Sequence, residues 1–189
     1  MNGLKYNINV WGLEKSGREQ ILNYFHNYKC SIYDFSYHNI KTHEDGYDVL
    51  VIRDIWNWMA DYINFLDESN TLDKYNPLYK DDPYAHLIDG PRYLDIKYLY
   101  PLYYKHVEMY NNNPKGLIII LFNKWVSDEK YRKEIVFKTR FEYIETEPDL
   151  SMLDRWKKFR YSTAFWQHLL NCPDAVNLSK KIFGRLKKK

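Results

Sequence analysis

Cysteine is scarce in this chain. Cys30 and Cys172 are the only two in 189 residues, and neither has a second Cys nearby. That excludes a disulfide framework and a zinc-knuckle pattern, and both are expected to be buried thiols. Long apolar runs are also missing. No stretch approaches the roughly 20 apolar residues that span a bilayer, and the first residues lack the charged segment and roughly 7 to 15 apolar residues of a secretory leader. The expectation is a soluble protein of a reducing, cytoplasmic compartment, with no membrane partner. Net charge is small: 28 Lys and Arg against 25 Asp and Glu leave +3 at pH 7. This is too little for a nucleic-acid binder but suits one local site for an anionic ligand. Glycine and proline are sparse at seven each, and no repeat period or low-complexity linker appears. One domain spanning 1–189 is expected.

What the chain does have is 45% apolar residues and 19 tyrosines, enough to build a core. The tyrosines are interleaved with Asn and Lys along the whole length. They read first as amphipathic packing and second as a platform for a sugar or base. Short apolar runs at Tyr6 to Trp11, Ser31 to Phe35, Asp48 to Ile52, Leu117 to Phe122 and Phe141 to Glu145 predict strands. "DVLVI" and "GLIIILF" are hydrophobic throughout, as parallel strands covered on both faces are. Helix patterns lie between them at Gly17 to Tyr28, Asn57 to Leu66, Ile96 to Tyr110, Asp128 to Phe137, Leu153 to Leu170 and Asp174 to Leu186. The alternation predicts a three-layer α/β domain with a central parallel sheet and helices on both faces. Asp67 to Arg92, holding three of the seven prolines, reads as an irregular insertion or lid over a site, or as a plain surface excursion.

The segment "INVWGLEKSGREQIL", Ile8 to Leu22, moves from an apolar run through a short polar loop into a helix pattern. Such a loop offers backbone N–H groups and the positive end of a helix dipole to a phosphate. Gly12 and Gly17 have the spacing of a nucleotide-kinase loop, but Arg18 and Glu19 stand where that loop needs Lys and Ser or Thr. Lys15, two residues before Gly17, is near enough to reach the same phosphate.

Lys15-Ser16-Gly17 resembles the 5′-phosphosulfate loop of the sulfotransferases that use 3′-phosphoadenosine 5′-phosphosulfate, whose fold is P-loop-like. Two further motifs follow in order. "IKTH", Ile40 to His43, is similar to the K-T-H segment that carries the catalytic base in cytosolic members. "DVLVIRDIWNWMADYINF", Asp48 to Phe65, resembles the 3′-phosphate segment, a hydrophobic strand ending in Arg53-Asp54 and running into a helix. The likeness covers roughly residues 6 to 66. It departs from the pattern at Asp61, where the family has serine eight residues after the arginine. A carboxylate facing a 3′-phosphate would repel it.

The resemblance implies sulfuryl transfer from 3′-phosphoadenosine 5′-phosphosulfate to an acceptor hydroxyl, for example on a sugar, without a metal. The donor would bind at Lys15, Ser16, Gly17, Arg18 and Glu19 with its 5′ end and near Arg53 and Asp61 with its 3′-phosphate. His43 would take the acceptor proton, with His38 as the reserve base. Lys15 would balance charge on the leaving phosphate, and Lys41 could face the sulfuryl oxygens. The basic run Arg155, Lys157, Lys158, Arg160 either closes on the 3′-phosphate or is a solvated face, and it is the dense supply of cations able to offset Asp61. Trp56 and Trp58 read as core packing or as an adenine stack. Two other readings stand beside this one: a P-loop nucleotide kinase, from the Gly12 to Gly17 spacing, and a catalytically inactive binding module of the same fold, from Asp61.

Overall fold

A computed structural model of the chain describes residues 7–28, 31–36, 46–68 and 91–184. In chain order the elements are β1 (Asn7–Gly12), α1 (Arg18–Phe25), β2 (Ser31–Ser36), β3 (Gly46–Ile52), α2 (Ile55–Glu68), α3 (Pro91–Asn112), β4 (Leu117–Leu121), α4 (Phe122–Ser127) and α5 (Glu129–Lys138). Two 3-10 turns (Leu150–Leu153 and Arg155–Phe159) precede α6 (Thr163–Leu170) and α7 (Pro173–Phe183). The fold is mixed α/β. Among the described residues the strands form one sheet in the order β2-β1-β3-β4, with each pairing parallel. No helix among these residues is long and apolar enough to cross a membrane.

The chain gathers into two compact units. The first joins residues 1–53 to 108–150 and contains the sheet. Its core is made by the branched runs: Ile8, Val10, Val49, Leu50, Val51, Ile120 and Leu121 are buried, with Ile21 and Phe25 of α1 also buried. Fully burying such a side chain contributes about 1.5–3 kcal/mol, so these runs are enough to commit the segments to a covered sheet. Register is fixed by a polar pair inside it. Asp48 is 1% exposed and lies opposite Asn9, whose Nδ2 donates to Asp48 Oδ1 at 2.9 Å, while Trp11 Nε1 donates to the same oxygen at 3.2 Å. A slip of one residue would leave a buried carboxyl without those donors.

The second unit joins residues 54–107 to 151–189. Trp58 is its centre, fully buried with stacked ring contacts to Tyr103 at 4.8 Å and Tyr62 at 5.8 Å. Trp56 is buried as well, so both tryptophans are core residues. Ser179 of α7 holds the start of α2: its Oγ accepts from the Ile55 N–H at 3.1 Å and from Tyr103 Oη at 3.3 Å.

Two predicted elements are corrected. Phe141 to Glu145 is not a strand. Its backbone polar groups go to tyrosine hydroxyls instead: Tyr28 Oη donates to the Glu142 carbonyl at 2.5 Å, and the Ile144 N–H donates to Tyr24 Oη at 3.1 Å. Tyr131 does the same for β4, accepting from the Leu121 N–H at 2.9 Å and donating to the Ile119 carbonyl at 3.3 Å. Burial pushes the Tyr131 hydroxyl up to about 12, which keeps its donor proton in place. Among the described residues β4 is an edge strand, and this one hydroxyl bonds two of its backbone groups. Leu153 to Leu170 is likewise not one helix. It begins as 3-10 turn and restarts at Ser162, whose Oγ caps the Phe165 N–H at 3.1 Å. The stretch 67–92 lies mostly outside the described residues, of which α2 reaches Glu68 and α3 begins at Pro91.

Candidate functional site

The strands are parallel, so Gly12, Ile52 and Leu121 end at the same edge of the sheet. β1 pairs with β2 on one side and β3 on the other, and the strand order reverses there. In open parallel sheets ligands bind at carboxyl ends beside such a reversal. The residues standing there are those of the β1–α1 turn and Arg53, which directly follows β3.

The turn is tightly built. The Ser16 N–H donates to the Leu13 carbonyl at 3.1 Å. Lys15 is left-handed at φ 61°, a conformation that costs a non-glycine residue about 1–3 kcal/mol and persists where its surroundings enforce it. Gly17 follows at φ 92° as the N-cap of α1. A Cβ on Gly17 would lie 2.2 Å from the Phe122 ring, so glycine is required here for space as well as for conformation. A Cβ on Gly12 would lie 2.7 Å from Ser16 Oγ, so that glycine makes room for the hydroxyl.

Two arginines hold the turn by its carbonyls. Arg18 Nη1 donates to the Gly12 carbonyl at 2.9 Å, and Arg53 Nη1 donates to the Lys15 carbonyl at 3.0 Å. Arg53 is 1% exposed, with its guanidinium carbon 5.5 Å from the centroid of Phe122. The position where a kinase loop would aim a lysine at phosphate is therefore occupied by an arginine folded back onto the loop's own backbone.

The donor groups of the turn are arranged differently. Gly17 has no side chain with which to cap α1, and the N–H groups of a helix's first turn have no intrahelical acceptor. Glu19 is exposed in that turn. Ser16 is 3% exposed, and its Oγ has no hydrogen-bond partner among the described residues. A buried hydroxyl in that state costs about 1–3 kcal/mol. The arrangement offers an anion a buried O–H and helix N-terminal N–H groups, with Lys15 half-buried beside them.

The remaining predicted residues fall elsewhere. Lys41, His43 and the reserve His38 lie outside the described residues, as does Cys30. Asp61 and Arg155 belong to the second unit and pair with each other, Nε to Oδ1 at 3.9 Å. The carboxylate that departs from the sulfotransferase pattern thus has its cation in the expected basic run. The rest of that run is exposed: Lys157 bonds Asp154 at 2.6 Å, Lys158 bonds Asn64, and Arg160 lies over the Tyr161 ring. Cys172 is buried, which pushes its thiol up to about 12. Burial also pushes His106 down to about 4.

Arg18, which the resemblance assigns to the donor, instead bonds the Gly12 carbonyl. Sequence reasoning passes over Phe122, which reads as the end of a strand and leaves no local signal of its packing on Gly17. Among the described residues no group of three or more His, Cys, Asp or Glu side chains is placed to hold a metal ion. No protein-family model, curated protein or solved structure matches the chain.

Proposed function

We propose that the β1–α1 turn binds the 5′ end of a nucleotide donor, and that the chain is a sulfotransferase moving a sulfuryl group from 3′-phosphoadenosine 5′-phosphosulfate to an acceptor hydroxyl such as a sugar's. The observation that carries the reading is Ser16: a buried hydroxyl without a partner among the described residues, next to a glycine-capped helix N-terminus. Its neighbours Lys15 and Gly17 complete the triplet on which the resemblance rests. The reading includes the P-loop-like fold, with helices in layers on both faces of the sheet.

The chemistry asks mainly for positioning and charge stabilisation. As the acceptor oxygen bonds to sulfur, the bond from sulfur to the phosphate oxygen breaks. Ser16 Oγ and the first N–H groups of α1 would hold the phosphate end. Lys15 would offset the charge that grows there, and Lys41 would face the sulfuryl oxygens. His43 would take the acceptor proton, a role that typically contributes on the order of 10²–10⁴ in rate.

Calorimetry tests this reading. Adenosine 3′,5′-bisphosphate is expected to bind with higher affinity than ATP with Mg²⁺. Tighter binding of the ATP complex would favour the kinase reading and overturn this one. Binding of the bisphosphate with no sulfuryl transfer to a panel of sugar and phenolic hydroxyls would reduce the reading to a donor-binding module.

A further inference from the structure

Arg53 is the residue the resemblance assigns to the 3′-phosphate, yet its surroundings give it another task. It is 1% exposed, so little of it meets solvent, and its Nη1 is on the Lys15 carbonyl at 3.0 Å. The same guanidinium faces Phe122, the ring against which Gly17 packs with no room for a Cβ. Lys15 meanwhile holds the left-handed conformation that an L residue seldom takes unaided. A charged donor fixed to the carbonyl of that residue is a direct means of enforcing it.

We infer that Arg53 is a positioning residue, which shapes the anion-binding turn through the Lys15 carbonyl and is not a ligand of the 3′-phosphate. The inference rests on the proposed reading of that turn. The contacts form a short chain: β3 delivers Arg53 beside β1, Arg53 fixes Lys15, and Lys15 sets the buried position of Ser16 Oγ and the entry of Gly17 into α1. Arg18 holds the other end of the turn at the Gly12 carbonyl. A ligand lacking a 3′-phosphate therefore depends on Arg53 as much as one that has it.

The experiment compares adenosine 5′-phosphate with adenosine 3′,5′-bisphosphate on the wild-type chain, Arg53→Met, Arg53→Lys and Phe122→Leu, and follows exchange of the Ser16 amide. Arg53→Met is expected to weaken both nucleotides by a similar factor, about tenfold, the low end for loss of a charged hydrogen bond. Ser16, whose N–H is bonded to Leu13, should exchange faster while Val49 to Val51 keep their protection. Arg53→Lys should restore part of the affinity for both, and Phe122→Leu should weaken both by a smaller factor. A loss confined to the bisphosphate would overturn the inference and return Arg53 to the 3′-phosphate. If the wild-type chain binds neither nucleotide, the proposed function fails, and the exchange decides the inference alone: faster Ser16 exchange sustains it, and unchanged exchange overturns it. Should Arg53→Met not fold, Phe122→Leu answers by the same two readouts.

Discussion

The turn after β1 and the turn after β3 each carry a parallel strand into a helix, but they leave the helix N-terminus in opposite states. After β3, Asp54 Oδ1 accepts the Asn57 N–H at 3.0 Å, its Oδ2 accepts Asn57 Nδ2 at 2.9 Å, and Ser179 Oγ accepts the Ile55 N–H. After β1, the N-cap is Gly17, with no side chain to offer, and the buried Ser16 hydroxyl beside it lacks a partner among the described residues. Capping supplies acceptors to a helix's first N–H groups, and a turn that omits it leaves those groups to water or a ligand. The arginines sharpen the contrast. In the first turn Arg18 and Arg53 both bond carbonyls of the turn itself.

The contrast can be broken by substitution. Gly17→Ala has the largest expected effect. The left-handed backbone costs an alanine about 1–2 kcal/mol, and a methyl in contact with Phe122 adds about 1–3 kcal/mol of overpacking. A stability loss of about 2–5 kcal/mol in chemical denaturation is expected, together with loss of nucleotide binding. Asp54→Ala comes next, costing about 1–2 kcal/mol for a lost cap, with nucleotide affinity unchanged. If affinity fell in step with stability, the two turns would not have the separate roles assigned to them. Asp61→Ser is the smallest. Its pair with Arg155 is part-exposed and contributes less than about 1 kcal/mol, fading with salt. Stronger bisphosphate binding at low salt would mean that Asp61 faces the donor's phosphate. Equal affinities at low and high salt would leave the pair with Arg155 as its role.

Much of the sheet could be read from the sequence as short runs of apolar and branched residues, and β1, β3 and β4 bury much of their length. Phe141 to Glu145 carries a similar run, but tyrosine hydroxyls distant in sequence take its backbone groups, a competition that no local pattern records. Leu153 to Leu170 kept a helical period across a break that only the Ser162 cap reveals. The turn at Lys15 to Gly17 is legible because glycine at a strand-to-helix junction has few uses. The framework behind it is not. Arg53 reaches Lys15 across 38 residues, and Phe122 meets Gly17 from another strand's end.

Ser16→Ala tests the central claim most directly, with bisphosphate affinity by calorimetry and unfolding midpoint measured on the same samples. The hydroxyl has no partner among the described residues, so its removal should leave the midpoint unchanged or slightly raised. Affinity should fall about fivefold or more, the loss of one hydrogen bond worth ~1 kcal/mol. Unchanged affinity, or a loss of stability as large as the loss of binding, would contradict the reading of this turn as an anion site.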